Sequence, residues 1–444
     1  MLPALLASVL ILAGCQSAQD AGASSLFART PSVAETEEAS VKSLVPLFKA
    51  LQTLEAGKTA GPVVAIQIGD SHTANDAFSG RMRELFQERF GAAGRGLLPP
   101  GVPFKHYKPA LVTVGQTGPW TFHSSFKPRT PGPFGLTGFR LSSAGPGATL
   151  TLESTEPEGI DRFAMEVAPD DGAVPPPEPP EVRFDGQPAA QPSVEGPFRV
   201  FAPPAGTRRV QIHAAEGFGA DLLSLVMERR RPGVVYENQG IIGATVAVEK
   251  RWEADLVHAE LAFRKPSLIV VAYGTNEGFN DGLDPQDYAT TFDRQVGALA
   301  AAAPQAAIVI AGPPDANRYS EGCPGTGKAR KACAPLSAED RANHAARFLD
   351  KPTGEACRWH PPPKLSVVRE IQRRIATVRG WFFWDWEAAM GGACGIHDWV
   401  HRDPPLALDD HVHLRAAGYR LTADALFREL MGRYERYQGR QVSR

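Results

Sequence analysis

The chain has 444 residues, 43% of them hydrophobic and 22% charged, long enough to bury a large core and too ordinary in composition for a disordered or polytopic membrane protein. Lysine and arginine number 47 against 49 acidic residues, a net charge of −2, so no bulk field draws the chain to nucleic acid. The 43 glycines and 39 prolines imply much turn and loop and exclude a plain helical bundle.

Residues 2–14 form an almost unbroken apolar run that ends in small residues, too short to span a bilayer and suited to a secretory signal. The basic start that usually precedes such a run is absent, which points to an initiation site further upstream. Leu12, Ala13, Gly14 and Cys15 resemble the bacterial lipobox, which implies cleavage before Cys15 and a membrane anchor through lipid on that cysteine. Gln16 after it resembles lipoproteins sorted to an outer membrane, so the expected location is periplasmic and outer-membrane anchored. Residues 15–40 then read as the lipidated cysteine and a flexible tether, rich in Ala, Ser, Gln and acidic residues.

Past the tether, short aliphatic runs at 63–68, 234–236, 268–272, 307–311 and 381–384 suit strands buried on both faces of a parallel sheet. Amphipathic stretches at 76–90, 248–263, 285–303, 365–378 and 416–437 follow or separate them. That alternation predicts right-handed βαβ units and a doubly wound α/β layer formed by 41–115 and 232–440. Residues 116–231 break the rhythm with many Pro and Gly and short alternating runs at 139–141, 149–152, 163–167, 182–184 and 210–213. This spacing predicts an inserted antiparallel β sandwich or jelly roll, with 175–180 as an exposed turn or extended loop.

Cys323, Cys333, Cys357 and Cys394 make an even number in an exported chain, which suggests two disulfides in one of three connectivities. Pairing 323 with 333 and 357 with 394 is preferred; a zinc site is disfavoured because no CxxC pair occurs.

Three polar motifs start where parallel strands should end: Gly69-Asp70-Ser71-His72-Thr73, Asn238 to Thr245, and Gly274-Thr275-Asn276-Glu277. Ligands bind at the carboxyl edge of such sheets, so the three should meet in one crevice. A fourth, Asp410-His411-Val412-His413, precedes the last helix. Together they hold the parts of an acyl transfer: Ser71 as nucleophile, His413 as base and Asp410 as the carboxylate that orients it. The amides of Ser71 and Gly243 and the side chain of Asn276 could stabilise an oxyanion.

These four blocks resemble the SGNH hydrolases, or GDSL esterases and lipases. Ser71 falls on the family's nucleophile, Gly243 and Asn276 on its oxyanion Gly and Asn, and Asp410 with His413 on its D-x-x-H block. The resemblance implies a three-layer α/β/α, flavodoxin-like sheet carrying the inserted β domain. His72 in place of Leu and Glu277 in place of Asp depart from the family's blocks. With the insert and the lipoprotein signal, they look like the branch of bacterial peptidoglycan O-acetylesterases, in which the insert resembles a carbohydrate-binding module. The expected protein is a monomeric serine esterase that removes O-acetyl groups from an envelope polysaccharide, with no cofactor and no metal.

Alternatives on the same residues are an O-acyltransferase, another carbohydrate esterase, and a glycan-binding lipoprotein without catalysis. A metallophosphoesterase could use Asp70 with His72 and His411 with His413 to hold two metals, but its Asn-His-Asp/Glu block is missing. His397 and His401, four apart, could face one metal but lack the Glu of H-E-x-x-H, so a surface or supporting role is expected. His411 is expected to be exposed. His72 is expected to pack or touch substrate, and Trp381, Trp384 and Trp386 to bury around the last strand. Residues 322–328 imitate a phosphate loop, but Ala329 stands where Ser or Thr should be, which reads as chance.

Overall fold

A computed structural model describes residues 33–143, 147–168, 180–214, 221–319, 332–341 and 358–442. The signal run, Cys15, the phosphate-loop imitation, Cys323, Cys357 and most of 175–180 lie outside them. Residues 40–444 make one compact unit. A helix, Val33–Ser43, starts within the stretch read as a tether. Among the described residues no helix is long and apolar enough to cross a membrane.

Five parallel strands lie in the order Gly233–Gly240, Pro62–Gly69, Leu268–Ala272, Ala307–Ala311 and Phe382–Trp384. In chain sequence this is 2-1-3-4-5, the flavodoxin-like order. Their side chains alternate between two cores. Val63, Ala65, Leu268, Val270, Ala307 and Val309 face the helices Val45–Glu55, Ala77–Phe90 and Ala416–Val442. Val64, Ile66, Ile269, Val271, Ile308 and Ile310 face the helices Ala254–Arg264, Pro285–Ala302 and Pro363–Arg379. Because both faces are covered, the strands read as continuous apolar runs rather than alternating ones. On the last helix Tyr419, Ala423, Leu426, Leu430, Tyr434 and Tyr437 recur every three or four residues and are all buried, the stripe of a helix packed along one side.

Between the first two parallel strands the chain builds two antiparallel sheets. One orders Ser193–Glu195, Phe198–Phe201, Arg162–Val167, Asp221–Glu228, Phe139–Ser143 and Trp120–Ser124, with Gly94–Leu98 also on Asp221–Glu228. The other orders Val112–Thr117, Thr149–Ser154, Arg209–His213, Glu181–Phe184 and Gln187–Pro188. Leu98, Phe163, Met165, Leu225 and Met227 of the first meet Leu150, Leu152, Phe184, Val210 and Ile212 of the second in a shared core, a β sandwich. The first sheet's other face, with Leu97, Ala164, Phe198 and Val226, packs into the α/β core. Antiparallel pairing therefore begins at Gly94, earlier than the break read at residue 116.

Two further sequence readings change. Asn238 to Gly240 lie within the second parallel strand rather than after it, since pairing with Pro62–Gly69 runs to Gly69↔Gly240. Among the described residues a disulfide joins Cys333 to Cys394, with Cα atoms 5.8 Å apart, which overturns both preferred pairings. Sequence proximity favoured the short loop, but Cys333 bridges to Trp359 and Cys394 caps the helix Gly395–His401, and the fold brings those two segments together.

Candidate active site

Register alone aligns the motifs. Gly69 pairs with Gly240 on one side and Ala272 on the other, so the next residues of all three strands leave the sheet at one level. The amide of Ile241 donates to Gly69 O at 2.9 Å and that of Asp70 to Ala272 O at 3.4 Å. Close approach demands glycine here: a Cβ on Gly69 would fall 2.4 Å from Thr73 Oγ1, and one on Gly240 would fall 2.2 Å from the Ala74 amide nitrogen.

Ser71 opens a short helical turn, Ser71–Ala74, capped by Asp70, whose carboxylate accepts the His72 amide at 2.9 Å. Burial pushes the Asp70 carboxyl up to about 7. Below the turn, Thr73 Oγ1 lies 3.0 Å from Gln67 Nε2, and Tyr236 Oη donates to Gln67 Oε1 at 2.9 Å. Asp76, just beyond, is buried against Arg83 and Arg95. Burial would raise its carboxyl, but the two guanidiniums outweigh that and hold it well below the usual carboxylate range. Arg95 stands on the strand Gly94–Leu98, so this ion cluster ties the Ser71 turn to the antiparallel sheets.

The loop before the last helix meets this turn. His413 Nε2 lies 3.0 Å from Ser71 Oγ, and His413 Nδ1 lies 2.8 Å from Asp410 Oδ2. The other carboxylate oxygen of Asp410 accepts the amides of Val412 and His413, each at 2.9 Å. Burial pushes the Asp410 carboxyl up, yet hydrogen bonds from His413 and from the Val412 amide prevail and hold it at about 2. The Asp410 bond in turn raises the His413 pKa against the opposing effect of burial. An anionic carboxylate thus holds the Nδ1 proton and leaves the Nε2 lone pair on the serine. Neighbouring Asp409 offers its backbone carbonyl to His411.

Gly243 sits at φ +77° in the turn after the second strand, a left-handed conformation that favours glycine. Asn276 follows Thr275 in the turn Thr275–Gly278, and its Nδ2 donates to Ala244 O at 2.8 Å. One amide hydrogen therefore fixes the Gly243 loop and the second is left for another acceptor. Glu277, not given a role by the sequence, accepts the Val246 amide at 2.9 Å; burial pushes its carboxyl up to about 7. The longer Glu in place of Asp thus fastens the same loop.

Phe126 was also missed. It is 49% exposed and its ring lies 3.1 Å from where a Cβ on Gly243 would stand. Ile242 beside it is 47% exposed, so two apolar side chains border the crevice. No local pattern marks Phe126, because it reaches the site only through the docking of the antiparallel sheets.

His72 is buried, with Nδ1 2.9 Å from Tyr419 Oη and its ring edge-on to Trp386. Burial, then His413, holds its pKa down to about 3, so it packs as a neutral ring under His413. Trp384 and Trp386 are buried and Trp381 half-buried. His411, expected to be exposed, is 3% accessible, because Trp359 stacks on it with centroids 3.5 Å apart. It turns toward His397 and away from Asp70 and His72. Among the described residues, the metal-compatible cluster is His397, His401 and His411, and the four residues of the two-metal reading do not form one.

The model of the GDSL-like lipase/acylhydrolase family matches residues 206–421. A solved peptidoglycan O-acetylesterase superposes with a TM-score of 0.68 at 25% identity, over 88% of this chain and 96% of its own. A Bacillus subtilis protein matches at 10% identity and TM-score 0.30, over 72% of this chain and 88% of its own. An acetyl xylan esterase matches at 14% identity and TM-score 0.29, over 44% of this chain and 81% of its own. No curated protein matches the sequence.

Proposed function

We propose that the chain is a carboxylic ester hydrolase of the SGNH, or GDSL-like lipase/acylhydrolase, type that removes O-acetyl groups from peptidoglycan by a Ser71–His413–Asp410 relay. The observation that carries the mechanism is the unbroken chain of contacts at 3.0 and 2.8 Å from Ser71 Oγ through His413 to Asp410.

Ser71 Oγ attacks the acetyl carbonyl carbon while His413 Nε2 takes its proton. Negative charge collects on the carbonyl oxygen, for which the Ser71 and Gly243 amides and the second hydrogen of Asn276 Nδ2 are the donors. The ester C–O bond to the sugar breaks, and the sugar oxygen leaves with the proton from His413. Water then attacks the acetyl-enzyme, giving its proton to His413, which returns it to Ser71 as acetate departs. Asp410 stays ionised and stabilises the imidazolium at each stage.

The substrate assignment is supported by the solved peptidoglycan O-acetylesterase, which this chain resembles over nearly the whole length of both. Phe126 and Ile242 at the rim suit a sugar ring or acetyl methyl. In this reading the β sandwich helps hold the polymer, and the monomeric enzyme is exported and tethered to the outer membrane by lipid on Cys15.

The test is acetate release from purified O-acetylated peptidoglycan and from acetylated xylan, by the wild type and by Ser71→Ala. Release from peptidoglycan by the wild type alone supports the proposal. Activity on xylan alone removes the cell-wall assignment, and appearance of the acetyl group on an acceptor glycan instead of as acetate makes the enzyme a transferase.

A further inference from the structure

Behind the proposed catalytic loop stands a second cluster that the relay does not use. His397 and His401 are one helical turn apart on Gly395–His401, so both rings leave the same face. His411 comes from the loop that bears Asp410 and His413. One ring nitrogen from each lies within 4.8 Å of the others, and His397 Nδ1 is 3.1 Å from His411 Nε2.

We propose that His397, His401 and His411 bind one divalent transition metal such as zinc, and that this metal clasps the helix Gly395–His401 to the loop that aims His413.

The rings are already held as metal ligands are. His411 Nδ1 lies 3.1 Å from Asp409 O and His401 Nδ1 lies 2.8 Å from His397 O. A carbonyl can only accept, so each Nδ1 carries the proton and the coordinating lone pair is on Nε2. Trp359 lies flat on His411, with 13° between the planes, which fixes the plane in which that lone pair points toward His397. Outer support comes from two more contacts. The disulfide Cys333–Cys394 anchors the residue before the helix, and buried Asp315 accepts the Ile396 amide at 2.9 Å.

Three imidazoles and no carboxylate select zinc, copper or nickel over magnesium or calcium. Zinc holds nitrogen at about 2.0–2.1 Å, which separates tetrahedral ligands by about 3.3 Å. The 3.1 Å pair already meets that spacing, and small rotations of the half-exposed His397 and His401 bring in the third. Water would take the fourth position. Buried His411 is the link to catalysis: its carbonyl accepts the Asn317 amide at 2.8 Å, and the Leu408 amide donates to His413 O at 2.8 Å. Holding the His411 ring thus holds the loop that carries His413. That consequence rests on the proposed catalytic role of His413; the metal site itself does not.

The experiment is titration of the chelator-treated, oxidised full chain with zinc chloride by calorimetry, and with cobalt(II) by visible absorption, together with the melting temperature. Wild type and Ser71→Ala should each bind one equivalent, show the intense bands of four-coordinate cobalt and melt higher with metal. His397→Gln and His401→Gln, checked for wild-type circular dichroism without metal, should weaken binding by more than the roughly 10- to 100-fold that loss of an outer-shell partner costs. Absence of a one-equivalent site in the wild type, or binding unchanged in both His variants, would overturn the proposal. Metal uptake in a Ser71→Ala protein devoid of esterase activity keeps this result separate from the fate of the catalytic reading.

Discussion

Replacing Asp410 by Asn separates orientation from architecture. Asn keeps an oxygen for the Val412 and His413 amides, both now bonded at 2.9 Å, so the loop should hold its shape. It turns an NH2 group toward His413 Nδ1 in place of the carboxylate oxygen at 2.8 Å. Nδ1 must then accept, the ring proton moves to Nε2, and that nitrogen can no longer take the proton of Ser71 Oγ 3.0 Å away. The analogous change in another serine triad lowers kcat about 10⁴-fold, which corresponds to about 5 kcal/mol of barrier. The Asp410 side chain is 46% exposed, so its ion pair with His413 contributes no more than about 1 kcal/mol to folding. Turnover should therefore collapse while the melting temperature barely moves. The assay is kcat on a chromogenic acetyl ester beside a thermal melt. A kcat within about tenfold of wild type, with the fold intact, would refute the proposed role of Asp410 as the group that sets the ring's tautomer.

Asn276→Ala should lower kcat by about 10²–10³ with little change in KM, the effect of losing one oxyanion donor; a KM-only effect would assign Asn276 to substrate binding. Phe126→Ala should lower kcat/KM on O-acetylated peptidoglycan by roughly 2- to 12-fold, the worth of an aromatic contact, and leave a small acetyl ester unaffected; equal losses on both would place Phe126 in loop support. Glu249 bears on pH. Burial raises its carboxyl to about 8, so folded protein keeps a proton that the unfolded chain has released above about pH 4.3. The native state binds more protons in that window, so stability falls as pH rises, by at most about 1.4 kcal/mol per unit from this group. Glu249→Gln should lose less stability than wild type between pH 6.5 and 8 in denaturant titrations; parallel curves would contradict the assigned burial.

The parallel layer could be read from sequence because its strands are covered on both faces, so 63–68, 268–272 and 307–311 stand out as uninterrupted aliphatic runs. The position of Ser71 followed from the same logic, since a polar motif after a buried strand has to sit at the sheet's edge. Contacts made by tertiary packing were harder. His411 looks like a polar loop residue until Trp359 covers it, and Cys333 and Cys394 lie 61 residues apart in sequence. Antiparallel pairing begins before residue 116 because Gly94–Leu98 joins Asp221–Glu228 more than 120 residues later, a long-range contact that no local pattern announces.

Acid quenching of the enzyme during turnover of an acetyl ester, followed by peptide mass spectrometry, reads the covalent step itself. The account predicts an acetyl group on the peptide that contains Ser71, on that serine, and none in Ser71→Ala, which should also lose about six orders of magnitude in turnover. An acetyl group trapped on a different residue, or full turnover in Ser71→Ala, would contradict it.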